Sequence, residues 1–599
     1  MKSPIKKVIS FKNFEALATS LIFIFILTRA WIVPISHDEA ATFFHYIQRG
    51  EFLPFKAHWD ANNHFLNSFF SIISYRYLGS DLIWLRLPNV LCFPLYAWYT
   101  YRILTPIESV ILKRSGFLAL TMAWLPLEFF GQCRGYGMSL GLLMGGVYYL
   151  ITFLNTYKPK YQWLTWLFFV LALSANLSLT NTFLVTLGLC FVFILSKKRV
   201  RNLRNVFAWI IGGLLPFIGF SIISFQMKER GLLYYGEGTG FIDVTVKTLV
   251  RYTFGTDANW VIYSVVIIGV ASTLSLLLKI RAFNTLSKGT ILALLFFGNI
   301  CGTLALHHLL GVNFPEDRVG IYYIPLFLLC LIYSADEHQN ITPFVSKLVG
   351  VLLIVIPIST ISNAKFSQVN LWKDLPVDES LFEEVKTQSA EFDRSPIISG
   401  YRLHTLSWGY HNVRSDGQLP PLVSREYDRK TADFQICYKK NCQDFMPNYL
   451  DVTPNEFSDV RLLKRKEEIR FETLVANEIQ EYSGDIEFLN LLVIKKEELI
   501  DTCDALQISF DLDATDSPCL IHLVVAARDS QEETVYYDFI PLHWIRNQWG
   551  GDRLEMVRPV KFDRNASHVL CYLWNTEKRQ FSLSNIDVQA LAASNPGED

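Results

Sequence analysis

A chain of 599 residues that is 51% hydrophobic and only 19% charged is too apolar for an ordinary soluble protein and falls among membrane-embedded ones. Its formal net charge of −1 supplies no global field for nucleic acid, so no nucleic-acid partner is expected. The ten cysteines are scattered through both halves; Cys437 and Cys442 in CYKKNC can close a short disulfide in an oxidising compartment, and the others up to Cys330 read as small hydrophobes.

A bilayer core of roughly 30 Å takes about 20 apolar residues per helix. In chain order, such runs cover approximately 14–34, 82–103, 115–132, 137–156, 161–177, 179–196, 205–226, 259–279, 289–310, 319–335 and 344–361. The first lacks a small-residue cleavage site and reads as an anchor. One further run, HFLNSFFSIISYRYLG at 64–79, is short and carries His64, Asn67, Tyr75 and Arg76. Laid along the interface, with the N-terminus inside, it leaves the basic loops on the cytoplasmic side: Arg102, Lys113 and Arg114; Lys158 and Lys160; SKKRVRNLR at 196–204; Lys279, Arg281 and Lys288. Read as a span, it moves all of them outside. The expectation is a mainly α-helical polytopic membrane protein with eleven spans and an outer C-terminal region.

The same parity puts four polar segments on the outer face: HDEA, CRGYG at 133–137, the loop 227–258, and NFPEDR at 313–318. Asp38 and Glu39 follow the first span. They are either a solvated interfacial pair or the source of a general base, since a partly desolvated carboxylate can take the proton of a hydroxyl. Neighbouring acids on a helix do not share a face, so one would meet substrate while the other orients a partner or a metal. In AHWDANNHFLNS, Asn62 or Asn63 suits a helix cap, and His64 opens the short apolar helix where its ring can reach a phosphate. Arg134, with Gly135 and Gly137 beside it, and Arg318 must each pair with something; Glu316, Asp317 or headgroups are the plain partners, and an anionic lipid head the sharper one. Arg86, opening the second span, is a weaker candidate of that kind. Glu128 can neutralise Arg134, and the small residues of GMSLGLLMGG suit close helix packing.

Taken in order, HDEA, NNHFLNSFFSIISYRYLG, RLPNVL, CRGYG and PEDRVGIYYIPL resemble the C-type glycosyltransferases (GT-C), the multi-spanning class that includes protein O-mannosyltransferases and the bacterial aminoarabinose transferase of lipid A. The resemblance covers about the first 335 residues. It implies a sugar donor on a polyprenyl phosphate and an acceptor that is a glycan, lipid or protein. Asp38 would match the family's base, deprotonating an acceptor hydroxyl that attacks the anomeric carbon with inversion. Glu39, His64, Asn63, Arg86, Arg134 and Arg318 would match positions near the donor phosphate or the acceptor. Where the mannosyltransferases carry a histidine–proline–proline run, this chain has NNHFLN. Some members of the family use a divalent metal, for which His37, Asp38 and Glu39 are the available ligands.

Residues 362–478 read as a linker and a small α/β region, and the module 1–361 as the transmembrane part, with its first outer loop at 35–81. From about 479 to 599 the pattern turns to short alternating runs: IEFLNLLVIKK, LQISFDLDA, CLIHLVVAARD, TVYYDFIPL, HVLCYLWN and FSLSNIDVQAL. They predict an antiparallel β-sandwich similar to the jelly-roll modules that bind carbohydrate, or a docking module without ligand. Trp544, Trp549 and Trp574 are the aromatics suited to sugar stacking. The expected function is sugar transfer from a lipid donor at the outer face of a bacterial inner membrane, with the C-terminal region periplasmic. The rivals are a flippase for lipid-linked glycans and a non-catalytic glycan receptor; the gathering of charged groups at one face, away from the midplane, favours the enzyme over the transporter.

Overall fold

The computed structural model describes residues 4–197, 200–280, 286–337, 343–369, 371, 375–424, 427–455, 458–479, 481–495, 503–515, 518–560 and 566–594. Lys198, Arg199 and Arg281 of the basic loops lie outside them. The chain divides into two compact units, Met1–Ile32 with Glu51–Phe366, and Val33–Gly50 with Ser367–Asp599.

The first unit is helical, and among the described residues seven helices are long and apolar enough to cross a bilayer: Asn13–Ile32, Gly135–Thr156, Leu177–Ser196, Leu203–Glu229, Asn259–Leu277, Lys288–Leu310 and Pro343–Asn363. Val110–Met122 and Trp124–Phe130, which together are also long and apolar enough, meet at a bend of 53° and form either a broken span or a re-entrant loop. Pro126 lies in the first turn of the second piece, where its ring and missing N–H disfavour a helix continuing through Ala123. The other three expected spans are also helical but short or broken: Leu82–Val90 followed by Cys92–Leu104, Pro159–Ala175, and Tyr323–Glu337. The chain is a multi-pass membrane protein. Phe65–Leu78, 14 residues long, extends only roughly 21 Å and stops at Gly79, whose φ of 102° favours glycine. It exposes Phe69, Phe70, Ile73 and Tyr77 and buries Asn67, Ser68, Ser71 and Ser74.

Small residues let the helices of this unit close up. A Cβ on Gly141 would stand 2.8 Å from the Cys92 carbonyl oxygen, and one on Gly146 would stand 2.8 Å from the Phe169 ring. Deeper in, Asn181 Nδ2 donates to the Asn299 carbonyl (2.7 Å), Thr182 Oγ1 to Asn299 Oδ1 (2.8 Å) and Tyr323 Oη to the Asn299 carbonyl (3.0 Å), joining three helices through polar groups that would otherwise be stranded in hydrocarbon.

The second unit holds thirteen strands among the described residues: β1 Ile398–Gly400, β2 Phe434–Tyr438, β3 Tyr449–Asp451, β4 Val460–Arg465, β5 Phe471–Ile479, β6 Tyr482–Gly484, β7 Phe488–Lys495, β8 Ala505–Ala514, β9 Ile521–Asp529, β10 Thr534–Pro541, β11 Gly550–Pro559, β12 Ala566–Asn575 and β13 Phe581–Ala593. A mixed sheet, β1-β2-β4-β3, carries the helices Glu379–Ser389 and Thr405–Arg414 on a core of Leu381, Phe382, Trp408, Phe434, Ile436 and Leu462. Two antiparallel sheets follow, β10-β9-β12-β7 and β11-β8-β13-β5. Period-2 alternation turns Leu506, Ile508, Phe510 and Leu512 of β8 inward, to meet Leu523 of β9 and Cys571 and Leu573 of β12 in one shared core. Cys437 and Cys442 form the disulfide foreseen for CYKKNC.

At one corner of this unit His522 and His543 lie 6.1 Å apart, ring to ring, with His522 also 5.6 Å from Trp574. Burial, aided by Arg49, pushes His522 down to about 4; burial, with His522, Arg49 and His45, holds His543 well below its ordinary range.

Two outcomes follow. Gly141→Val should cost about 1–3 kcal/mol of stability through overpacking, read as a lower thermal midpoint in detergent. Because an unfolded histidine protonates near 6.5 and His522 only near 4, its stability contribution is full above 6.5 and is lost as pH falls toward 4. Thermal melts across that window should therefore show a falling midpoint, with a shallower slope in His522→Gln.

Candidate functional site

The acidic pair belongs to the second unit. Ser36, in extended conformation, caps the short helix His37–Thr42: its Oγ accepts from Glu39 N (3.4 Å), while the Glu39 carboxylate accepts from Ser36 N (3.1 Å) and Ser36 Oγ (3.2 Å). This reciprocal capping box assigns Glu39 to holding the backbone, with its side chain turned back into the cap and buried, whereas Asp38 stays half-exposed. His37 donates through Nδ1 to the Leu403 carbonyl (2.9 Å). Among the described residues no three His, Cys, Asp or Glu side chains gather as metal ligands. Of the trio His37, Asp38 and Glu39, the Glu39 carboxylate is turned into the cap and His37 Nδ1 to the Leu403 carbonyl. The helix runs on into a π turn, Phe43–Ile47, whose wider winding buries both Phe43 and Phe44.

In the first unit His64 and Arg134 come together. His64 precedes the helix Phe65–Leu78 and donates from Nδ1 to the Ala175 carbonyl (2.8 Å). Its ring stands edge-on to Tyr136 at 4.7 Å, and the Arg134 guanidinium lies 5.5 Å from that same ring. Gly135 is required here by close approach: a Cβ would come within 2.7 Å of His64 Cβ. The turn before Arg134 is clamped by Asn89, which donates from Nδ2 to the carbonyls of Phe129 (2.5 Å) and Gln132 (2.9 Å) and accepts from Met138 N (2.6 Å). Asn63 ties its own loop, donating to the Phe52 carbonyl (3.1 Å) and accepting from Ser68 (3.3 Å). Arg86 is wholly buried and donates to the Ala30 carbonyl (3.1 Å). Glu128, foreseen as a neutraliser of Arg134, forms an ion pair with Arg29 at 3.2 Å. Asn89, Tyr136 and Arg29 were not anticipated; a polar residue inside the apolar run RLPNVL was the available signal for the first.

Arg318 sits at 3.9 Å over the Tyr235 ring and 3.4 Å from Asp317 Oδ1. Tyr235 donates to Asp317 Oδ2 (2.8 Å), and burial pushes its phenol up, so it keeps the proton it donates. Asp317, at the unusual φ of 35°, donates from its own N–H to the Thr248 hydroxyl oxygen (3.0 Å). Thr245, one turn earlier, donates to the Pro315 carbonyl (2.7 Å). Thr245 and Leu249 also line an almost wholly apolar groove of about 240 Å³, walled by Phe241, Phe296, Tyr323 and Phe327. The arginine-bearing loop is thus bonded to the helical segment that walls the groove. The helix Lys247–Phe254 packs on Trp124–Phe130 as well as on the turn Asp317–Gly320, linking the two arginine-bearing regions of this unit.

Of the three tryptophans, Trp549 is in the core of the β sheets at 7% exposure, and Trp544 packs on Phe44 with ring centroids 5.7 Å apart. Trp574 lies half-buried on the β12 face opposite that core, between His522 at 5.6 Å and the half-exposed Phe488, on which it stacks at 6.1 Å and 12°.

No family model and no curated protein matches the sequence. Among solved structures the chain is similar to ArnT from Cupriavidus metallidurans bound to undecaprenyl phosphate, at 8% identity and a TM-score of 0.43, over 77% of this chain and 98% of that one. It is similar to the arabinosyltransferase EmbB from Mycobacterium smegmatis at 10% identity and a TM-score of 0.34, over 97% of this chain and 64% of that one. It is also similar to an Archaeoglobus fulgidus oligosaccharyltransferase tethered with an acceptor peptide, at 8% identity and a TM-score of 0.38, over 98% of both.

Proposed function

We propose that this protein is a membrane glycosyltransferase that takes a sugar from a polyprenyl-phosphate donor and places it on a hydroxyl acceptor outside the cytoplasm. The observation that carries the reading is the apolar groove of about 240 Å³ whose wall is hydrogen-bonded to the loop of Arg318. An isoprenoid chain asks for a long apolar wall, and its phosphate for a cation beside it. Arg318, with Arg134 and His64, supplies the positive charge that a departing phosphate needs. Asp38 is the base: it takes the proton of the acceptor hydroxyl, the oxygen attacks the anomeric carbon opposite the phosphate, and the sugar–phosphate bond breaks with inversion. Glu39 supports that role through the helix cap. The Cys437–Cys442 disulfide supports an oxidising compartment for the C-terminal unit, such as the bacterial periplasm. Trp574 with Phe488 is the stretch of that unit best suited to stack on a sugar.

Purified protein in nanodiscs, given radiolabelled polyprenyl-phosphate sugars and candidate acceptors, should transfer label, and Asp38→Asn should lower the rate by roughly 10²–10⁴-fold. Full activity in that variant removes the assigned base; movement of the labelled lipid between leaflets without transfer makes the protein a flippase. Leu249→Trp, which fills the groove, should raise the donor KM with little change in kcat, and an unchanged KM would take the lipid out of the groove.

A further inference from the structure

The segment that carries the acidic pair is built into the C-terminal unit on both sides of the acids. Before them, the Ile35 carbonyl accepts from Ser407 Oγ (3.5 Å) and His37 donates to the Leu403 carbonyl (2.9 Å). After them, Phe43 meets Tyr410 edge-on at 5.3 Å, and Phe44 packs on both His543 (6.4 Å) and Trp544 (5.7 Å). Gln48 donates from Nε2 to the His543 carbonyl (2.9 Å) and to Asn547 Oδ1 (3.1 Å). Gly409 makes the fit possible: a Cβ there would lie 2.9 Å from the Trp544 carbonyl oxygen and 3.3 and 3.4 Å from the Phe44 ring. The helix Thr405–Arg414 and the turn Leu542–Trp544 therefore form a socket for residues 43–48, one helical step beyond Asp38.

We infer that this socket sets the position of Asp38, and that Gly409 and Gln48 are positioning residues of the transfer reaction. The inference rests on the glycosyltransferase reading above and adds to it that the C-terminal unit is part of the catalytic apparatus in addition to any ligand it binds. A base in the first turn of a helix that runs only from His37 to Ile47, six residues of α-helix and five of π-helix, has little rigidity of its own. Its orientation comes from what the flanking residues grip, and displacement of about 1 Å at a reacting group costs roughly 10²-fold in rate.

Gly409→Ala is the decisive variant, because alanine is the better helix former and leaves Thr405–Arg414 intact while closing the gap to Phe44 and Trp544. Gln48→Ala is the second, removing two hydrogen bonds without adding bulk. Both are made in the full-length protein in nanodiscs and read by hydrogen exchange of the amides of residues 36–48 and by kcat and donor KM. The expected result is exchange over 36–48 faster by about tenfold or more, kcat lower by roughly 10²-fold and donor KM unchanged. Exchange that stays at the wild-type rate in both variants overturns the socket; faster exchange with kcat unaltered overturns its role in positioning. Absence of sugar transfer by the wild-type protein removes the glycosyltransferase reading, and with it the catalytic role of the socket, while the exchange data separately show whether the segment is gripped.

Discussion

Hydrocarbon offers a polar group no water to bond, so every such group inside the first unit has to be answered by the chain itself. Asn299 accepts from Thr182, Asn181 and Tyr323, and in doing so joins three helices. Arg29 and Glu128, 99 residues apart, form a buried ion pair, and Asn89 satisfies two carbonyls and one N–H in the turn that leads to Arg134. These bonds draw the polar residues into fixed constellations and leave the remaining surface to apolar side chains. The groove beneath the Arg318 loop is a consequence of the same rule. Its wall is apolar along Phe241, Leu249, Phe296 and Phe327, and its polar contacts begin where Thr245 and Thr248 reach the 315–317 backbone.

The two adjacent carboxylates divide their work. Glu39 is consumed by the cap with Ser36, which defines where the short helix starts, and Asp38 next to it is left half-exposed. Neighbouring positions on a helix point about 100° apart, so one side chain can fold back over the N-terminus while the other faces outward. The segment then passes through a π turn that seats Phe44 against Trp544. Asp38 is thereby placed on a short helix whose stability is supplied by neighbours distant in sequence. The arginines are placed by another device, an aromatic ring below the guanidinium: Tyr136 for Arg134 and Tyr235 for Arg318.

Much of this architecture is legible in the residues. Long apolar runs became helices because length and hydrophobicity act locally, and the alternating run LQISFDLDA became β8 because period 2 is a property of the strand alone. Strand β11 escaped notice: it begins GGDRLE, and its burial starts only at Leu554, so half of it has no apolar signature. Breaks in helices were harder. The bend at Ala123 and the step at Leu91 each fall beside a proline inside an apolar run, where hydropathy reports only continuity. For the site, the pattern Ser36-x-x-Glu39 is a readable capping signature that explains one of the two acids. Trp549 and Trp574 look alike in sequence, and only the packing of the two sheets puts one in their shared core and the other on the opposite face of β12, against Phe488 and His522.

The sequence by itself determined the class of molecule, the helical and β halves, and the residue types available for acid–base and anion chemistry, since these depend on local composition and periodicity. Tertiary structure alone decided which residues share a neighbourhood: that His64 meets Tyr136, that Arg29 takes Glu128, and that residues 33–50 fold with the chain beyond 367. Those pairings span gaps of roughly 70 to 500 residues, and no periodicity carries information over such distances. They are settled by which polar group finds a partner when the apolar surfaces close.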